Sequence, residues 1–302
     1  MLMPHDLFNE NLPTAVCWLL AGGSALLIGL SKAGFGGGIG VIAVPMMIFA
    51  MRHEYLAIGV LLPLLMVGDF FSVGHHWKRW DARNVKLLLP GLTVGVVLGA
   101  FALLWFHEQG GGQAALDESS TYLKMAIGVI CTAWVFAEIL RAKLAPNWAL
   151  RPTWKTGTGT GFFAGFTSTL AHTAGPIITM YLLGQKLDKR TFVGTGALYY
   201  LIGNSIKLPP YILLTVLAGM PLLDGEAIRA GLWFVLFVPI GTTLGAWMHH
   251  RINERLFRNI IMVFVLISGL ELMGLGKVVR GWDWPWRSDG NETQQVEPSA
   301  AE

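Results

Sequence analysis

The sequence predicts an all-α integral membrane protein made of two inverted-topology repeats, each an interrupted, re-entrant helical hairpin followed by three transmembrane helices. Three observations carry this. Apolar residues make up 53% of the chain and charged residues only 14%, where a soluble domain carries about 25% charged, and the mean hydropathy is +0.53. Several apolar runs reach the roughly 20 residues that a helix needs to cross about 30 Å of hydrocarbon. Two polar segments interrupt short apolar arms at matching places in the two halves.

The elements follow in order. The start, Met1 to Asp6, lacks a basic stretch, and no small-residue cleavage site follows the first apolar run, so no cleaved signal is expected. The first hairpin is read as Pro13 to Leu30, a loop Ser31 to Gly38, and Ile39 to Met51. Three spans follow, at Tyr55–Val73, Val85–Phe106 and Leu123–Leu140. The second hairpin is Lys155 to Phe166, a break Thr167 to Thr173, and Ala174 to Gln185, with spans at Phe192–Leu217, Ala230–Met248 and Leu256–Met273. The arms of the second hairpin, and the second arm of the first, are too short to cross comfortably. After Lys277 the chain turns polar, and Trp282, Trp284 and Trp286 suit an interfacial anchor ahead of a disordered tail.

Orientation follows from the basic loops. Lys78, Arg79, Arg83 and Lys86, then Arg141, Lys143, Arg151 and Lys155, then Lys186, Lys189 and Arg190, and finally Arg251, Arg255 and Arg258 belong inside. The acidic segments His107–Ser120 and Met220–Ala227 belong outside. The domains are therefore a first repeat at 1–140, a cytoplasmic linker at 141–155, a second repeat at 156–276 and the tail at 277–302. Local similarity pairs the halves: Ala43-Val44-Pro45 aligns with Ala174-Gly175-Pro176, and Gly68-Asp69 with Gly203-Asn204. The segments Gly95–Ala100 and Gly241–Ala246 carry small residues four apart, which suits close helix packing. Interrupted helices in corresponding positions of two inverted halves point to a midplane substrate site.

The first interruption, Ser31-Lys32-Ala33-Gly34-Phe35-Gly36-Gly37-Gly38, puts a cation and four glycines within a hairpin expected at membrane depth. Irregular backbone is tolerated there only inside protein or around a watery cavity. Free amides at the start of the next short helix, with Lys32 beside them, would bind an anion. The plainer alternative is close packing by the glycines, with Lys32 reaching a headgroup. The second interruption offers Thr167, Ser168, Thr169, His172 and Thr173 ahead of Gly175 and Pro176, and proline suits a first helical turn. These donors suit an oxyanion, although Ser and Thr also bond helix carbonyls.

The first span after each hairpin brings Asp69 and Ser72 from one half, and Asn204, Ser205 and Lys207 from the other. Ionisable groups in spans usually face the pathway or a partner. An Asp69–Lys207 pair is open to them, as is a role of Asp69 or His172 in coupling a proton or sodium ion. Glu138 and Glu271 fall near span ends and are read as interfacial or helix-terminal. His75-His76 and His249-His250 are read as interfacial, with no third ligand spaced for a metal. Cys17 and Cys131 lie in apolar runs and are read as buried small hydrophobes. The net charge of +3 gives no support to nucleic-acid binding.

These residues resemble the sulfite exporter TauE/SafE family, also called the toluene sulfonate uptake permease family. The resemblance rests on Gly29–Gly38 followed by Val44-Pro45, on the block Gly165–Tyr181, and on Gly194-Thr195, Asn204, Lys207–Tyr211 and Gly241–Ala246. It implies a permease for sulfite, sulfonates or other small organic anions, in a bacterial plasma (inner) membrane. Many family members carry a second glycine-rich loop where this chain reads Thr169-Leu170-Ala171-His172-Thr173-Ala174-Gly175.

The reading is thus a secondary transporter working by alternating access. Lys32 and Lys207 would supply charge. Ser31, the Gly36, Gly37 and Gly38 amides and the Thr173–Gly175 helix start would supply donors, and Thr167, Ser168, Thr169, His172 and Asn204 would orient the anion. On this reading Lys32→Ala abolishes binding and leaves the fold intact. The lipid bilayer and the anion are the expected partners, and no cofactor is expected. An anion channel of the same architecture is the alternative, and an intramembrane enzyme using Ser168 with His172 as base is a more distant one.

Overall fold

The computed structural model describes residues 4–34, 37, 40–109, 113–144, 152–185, 187–248 and 254–275. Among them the chain is helical and has no strand. The helices are α1 (Thr14–Gly34), α2 (Ala43–Ala50), α3 (Glu54–His75), α4 (Ala82–Glu108), α5 (Gln113–Leu144), α6 (Trp154–Ala171), α7 (Ala174–Leu183), α8 (Lys189–Ala218), α9 (Gly225–Phe234), α10 (Phe237–Met248) and α11 (Glu254–Leu272). Four helices among the described residues, α1, α3, α4 and most of α8, are long and apolar enough to cross a membrane. The pair α9–α10 makes a fifth if it counts as one bent span.

Caps mark several helix starts. The Asp81 carboxylate accepts from the Arg83 and Asn84 amides at the head of α4, Thr153 and Thr156 form a reciprocal cap on α6, and Asp188 accepts from Arg190 and Thr191 on α8. Such side chains replace the intrahelical partners that first-turn amides lack.

Both hairpins depart from the sequence reading in the same way: the first arm is longer. α1 continues through Gly34, so Ser31 and Lys32 sit in its last turn rather than in a loop. Gly37, with φ +86°, caps that end by donating its amide to the Ser31 carbonyl at 3.0 Å. A 3-10 turn at Gly40–Ile42 then leads into α2. Gly36 and Gly38 lie outside the described residues. In the second hairpin α6 runs to Ala171, so Thr167, Ser168 and Thr169 are helical and only His172 and Thr173 separate it from α7. His172 takes the left-handed conformation, φ 49°, which terminates α6.

The expected span Ala230–Met248 is also corrected. It is two helices bent by 45°, α9 starting at Gly225 and α10 at Phe237. Pro239 suits the break: it has no amide to offer the Val235 carbonyl, and it stands in the first turn of α10, where a proline is accepted.

The most extensive packing joins α4 to α6 and α1 to α10. Backbones touch there, because a Cβ built on Gly161 would stand 2.0 Å from the Leu88 oxygen, and one on Gly241 would stand 2.1 Å from the Leu26 oxygen. The glycine segments Gly95–Ala100 and Gly241–Ala246 therefore act in close helix packing. α3 crosses α8, and α5 packs with α11. Glu138 and Glu271 have side chains outside the described set. His249, His250, Arg251, residues 145–151 of the linker and the tail from 276 also lie outside it. Cys17 and Cys131 are buried free thiols.

Candidate functional site

The ends of α1 and α6 converge on the crossing of α3 and α8, and charge is concentrated there. Lys32, in the last turn of α1, is 7% exposed, and Asp69 of α3 is fully buried. The Lys32 ammonium donates to Asp69 Oδ1 at 2.5 Å, and Asn204 Nδ2 of α8 donates to Asp69 Oδ2 at 2.6 Å. The Lys32 ammonium also lies 4.2 Å from the centre of the Tyr200 ring, a favourable cation–π position. The Ser72 hydroxyl donates to the Lys32 carbonyl at 3.3 Å, holding the end of α1 against α3.

The second lysine sits at the end of α6. Lys207 is 1% exposed, and its ammonium donates to the Ser168 carbonyl at 3.2 Å, the Ser168 hydroxyl at 3.0 Å and His172 Nδ1 at 2.9 Å. Three N–H groups meet three acceptors, as an ammonium requires. His172 Nε2 lies 3.0 Å from the Ile58 carbonyl. A carbonyl can only accept, so Nε2 carries the proton, Nδ1 is the bare acceptor for Lys207, and the imidazole is neutral.

Between these groups lies a cavity of about 30 Å³ lined by Ser31, Lys32, Ser168, His172, Tyr200 and Asn204, with Ala174 and Gly175 at the start of α7. Ser31 is 1% exposed, and its hydroxyl has no hydrogen-bond partner. A buried hydroxyl without a partner costs free energy unless a ligand or water satisfies it. The Ser168 oxygen accepts from Lys207, which leaves its own O–H to donate. The first amides of α7 have no partner within their helix, so the cavity collects donors and positive charge.

The model of the sulfite exporter TauE/SafE family matches residues 21–272. The chain belongs to the sulfite exporter TauE/SafE family. No curated protein and no solved structure matches it. Membership makes this chain a multi-pass membrane protein of a transporter family, and implies sulfite or related sulfur anions as cargo.

In this TauE/SafE chain, seven of the residues expected at the site line the cavity: Ser31, Lys32, Gly37, Ser168, His172, Gly175 and Asn204. The Gly37 amide closes α1 rather than facing a ligand. Lys207 stands one layer behind, and its charge reaches the cavity through Ser168 and His172. Three expected hydroxyls turn away. Thr167 donates to the Phe163 carbonyl at 2.8 Å, Thr169 to the Gly165 carbonyl at 2.9 Å and Thr173 to the Thr167 carbonyl at 3.3 Å. Because α6 stays helical, its own carbonyls lie within their reach. Ser205 likewise bonds the Leu201 carbonyl.

The Asp69–Lys207 pair left open by the sequence is not formed: Asp69 pairs with Lys32, and the Lys207 ammonium donates to Ser168 and His172 instead. His75 and His76 bond the Phe71 and Ser72 carbonyls of their own helix, and no cluster of metal-ligating side chains occurs among the described residues. Tyr200 was missed. Its ring faces Lys32, its hydroxyl donates to the Gly175 carbonyl at 3.3 Å, and the signal for it was a Tyr199-Tyr200 pair, two phenols within one span.

Proposed function

We infer that this chain is a secondary transporter that binds a small organic or sulfur-containing anion in the central cavity and moves it by alternating access. One observation carries the reading: the buried cluster holds two ammonium groups and one carboxylate, so one positive charge lacks a counter-charge. Burying an unpaired cation is costly, and an anionic ligand between Ser31 and Ser168 would compensate it.

The packing supports two inverted repeats, at 1–140 and 156–276, joined by the linker 141–155 and followed by the tail 277–302. The first arm of each hairpin packs on the other half, α1 against α10 and α6 against α4. Each half also ties its own hairpin to the span that follows it. In one, Ser72 of the span bonds the carbonyl of Lys32 on the hairpin; in the other, Lys207 of the span bonds the carbonyl of Ser168 on the hairpin. Rocking of one repeat against the other around this centre fits transporters of inverted symmetry. The protein would sit in a bacterial inner membrane with the linker in the cytoplasm, and Asp69 or His172 would carry any coupling proton, or Asp69 a sodium ion. An enzymatic use of Ser168 is disfavoured, because His172 Nδ1, the lone pair a base would use, is taken by Lys207.

Flux of labelled sulfite or methanesulfonate into proteoliposomes tests this. Saturable uptake that follows an imposed gradient is expected. Flux that rises linearly with concentration would point to a channel instead, and none above empty vesicles would sink the reading.

A further inference from the structure

The charge balance of the cavity also bears on the valence of its ligand, an inference that rests on the cavity being the anion site. Among the described residues the charged side chains that line it or touch its lining residues are Lys32, Lys207 and Asp69, and His172 is neutral by its hydrogen bonds. Asp69 is fully buried and holds Lys32 through one oxygen and Asn204 through the other. Lys32 is therefore already neutralised, and Lys207 alone supplies charge for a ligand, with Ser31 and Ser168 as neutral donors.

We propose that the cavity selects small monovalent oxyanions of the alkanesulfonate or hydrogensulfite type against divalent ones such as sulfate, and that Asp69 is the residue that sets this valence. Stripping water from an ion costs free energy that rises with the square of its charge, whereas attraction to a fixed net charge of one rises only linearly. A dianion thus gains twice the attraction for about four times the desolvation. It would leave the cavity with a net negative charge, while a monoanion leaves it neutral. Replacing Asp69 by asparagine frees Lys32, raises the surplus to two and keeps a side chain that can bond Asn204.

The test is calorimetric titration of the detergent-purified full chain with methanesulfonate and with sulfate, at equal ionic strength and neutral pH. Methanesulfonate is expected to bind wild type at least about tenfold more tightly, or about 1.4 kcal/mol. In Asp69→Asn the preference is expected to reverse toward sulfate. The wild-type comparison stands even if that variant does not fold. Equal or tighter binding of sulfate to wild type, weakened by Ser168→Ala, would overturn the valence proposal and leave the cavity as the anion site. Binding of neither anion would overturn both.

Discussion

The two lysines are expected to answer the same substitution in opposite ways. Lys32→Met leaves the Asp69 carboxylate fully buried with only Asn204 as partner. Removing one member of a buried ion pair costs about 3–5 kcal/mol, because the other charge stays behind uncompensated. Lys207→Met removes a charge with no carboxylate partner and strands little. The Ser168 carbonyl keeps its helical bond from the His172 amide at 2.9 Å, so only the Ser168 hydroxyl and His172 Nδ1 lose a donor.

Anion binding should fall instead. An oxyanion accepting from the Ser168 hydroxyl, itself 3.0 Å from the Lys207 ammonium, would stand roughly 5–6 Å from that charge by ordinary hydrogen-bond lengths. At an effective dielectric of about 20, two unit charges at that distance interact by about 3 kcal/mol, a factor of roughly 150 in affinity. Thermal unfolding of the purified variants, with and without methanesulfonate, reads both effects. Lys207→Met is expected to melt near wild type and lose ligand stabilisation, and Lys32→Met to melt far lower. A Lys207→Met protein that anions stabilise as well as wild type, or a Lys32→Met protein as stable as wild type, would refute the charge assignment. The sequence alone had singled out Lys32 as the clean probe of binding; its pairing with Asp69 transfers that role to Lys207.

Ser31→Ala removes an unpartnered hydroxyl, so it should not lower stability and should weaken methanesulfonate binding about 10- to 150-fold, the loss of one hydrogen bond to a charged group, read by calorimetry. Gly161→Ala, whose Cβ would meet the Leu88 oxygen at 2.0 Å, should destabilise by about 1–3 kcal/mol or more. Gly159→Ala, two residues away and with nothing within 4 Å, should be neutral or gain up to about 1 kcal/mol; melting temperatures separate the two. At the head of α8 the Thr191 hydroxyl, and then its amide, hold the exposed Asp188 carboxyl below the usual carboxylate range. A depressed folded value contributes stability above the unfolded value near 3.9, which is lost as pH falls through the folded one. The melting difference between wild type and Asp188→Ala should therefore be flat near neutrality and close in strong acid.

The class of fold was legible because composition and run length depend on the bilayer alone, not on which helix meets which. Both hairpins were legible for the same reason, since Lys32 and His172 among glycines and hydroxyls are too polar for a lipid-facing span. Where each helix ended was not. Ser31 and Lys32 read as loop because glycine-rich sequence follows them, but a capping bond from Gly37 carries α1 past both. The pairing of Asp69 was hidden because spacing along a helix gives only the face a residue shares, and the partner came from α1, 37 residues away in sequence, rather than from Lys207. The threonines of α6 misled for a local reason, since a hydroxyl in a helix finds its own carbonyls first. The break in the α9–α10 span was not readable from Pro239 alone, since α3, α4 and α8 run unbroken through Pro63, Pro90 and Pro209-Pro210.

The position of the bound anion is the most direct test of the cavity's role. Crystals of the full chain grown with selenite, the selenium analogue of sulfite, would locate it by anomalous scattering. The expected peak lies in the central cavity, within hydrogen-bonding distance of the Ser31 and Ser168 hydroxyls and beside the first turn of α7. Selenium bound elsewhere, with that cavity holding none, would contradict it.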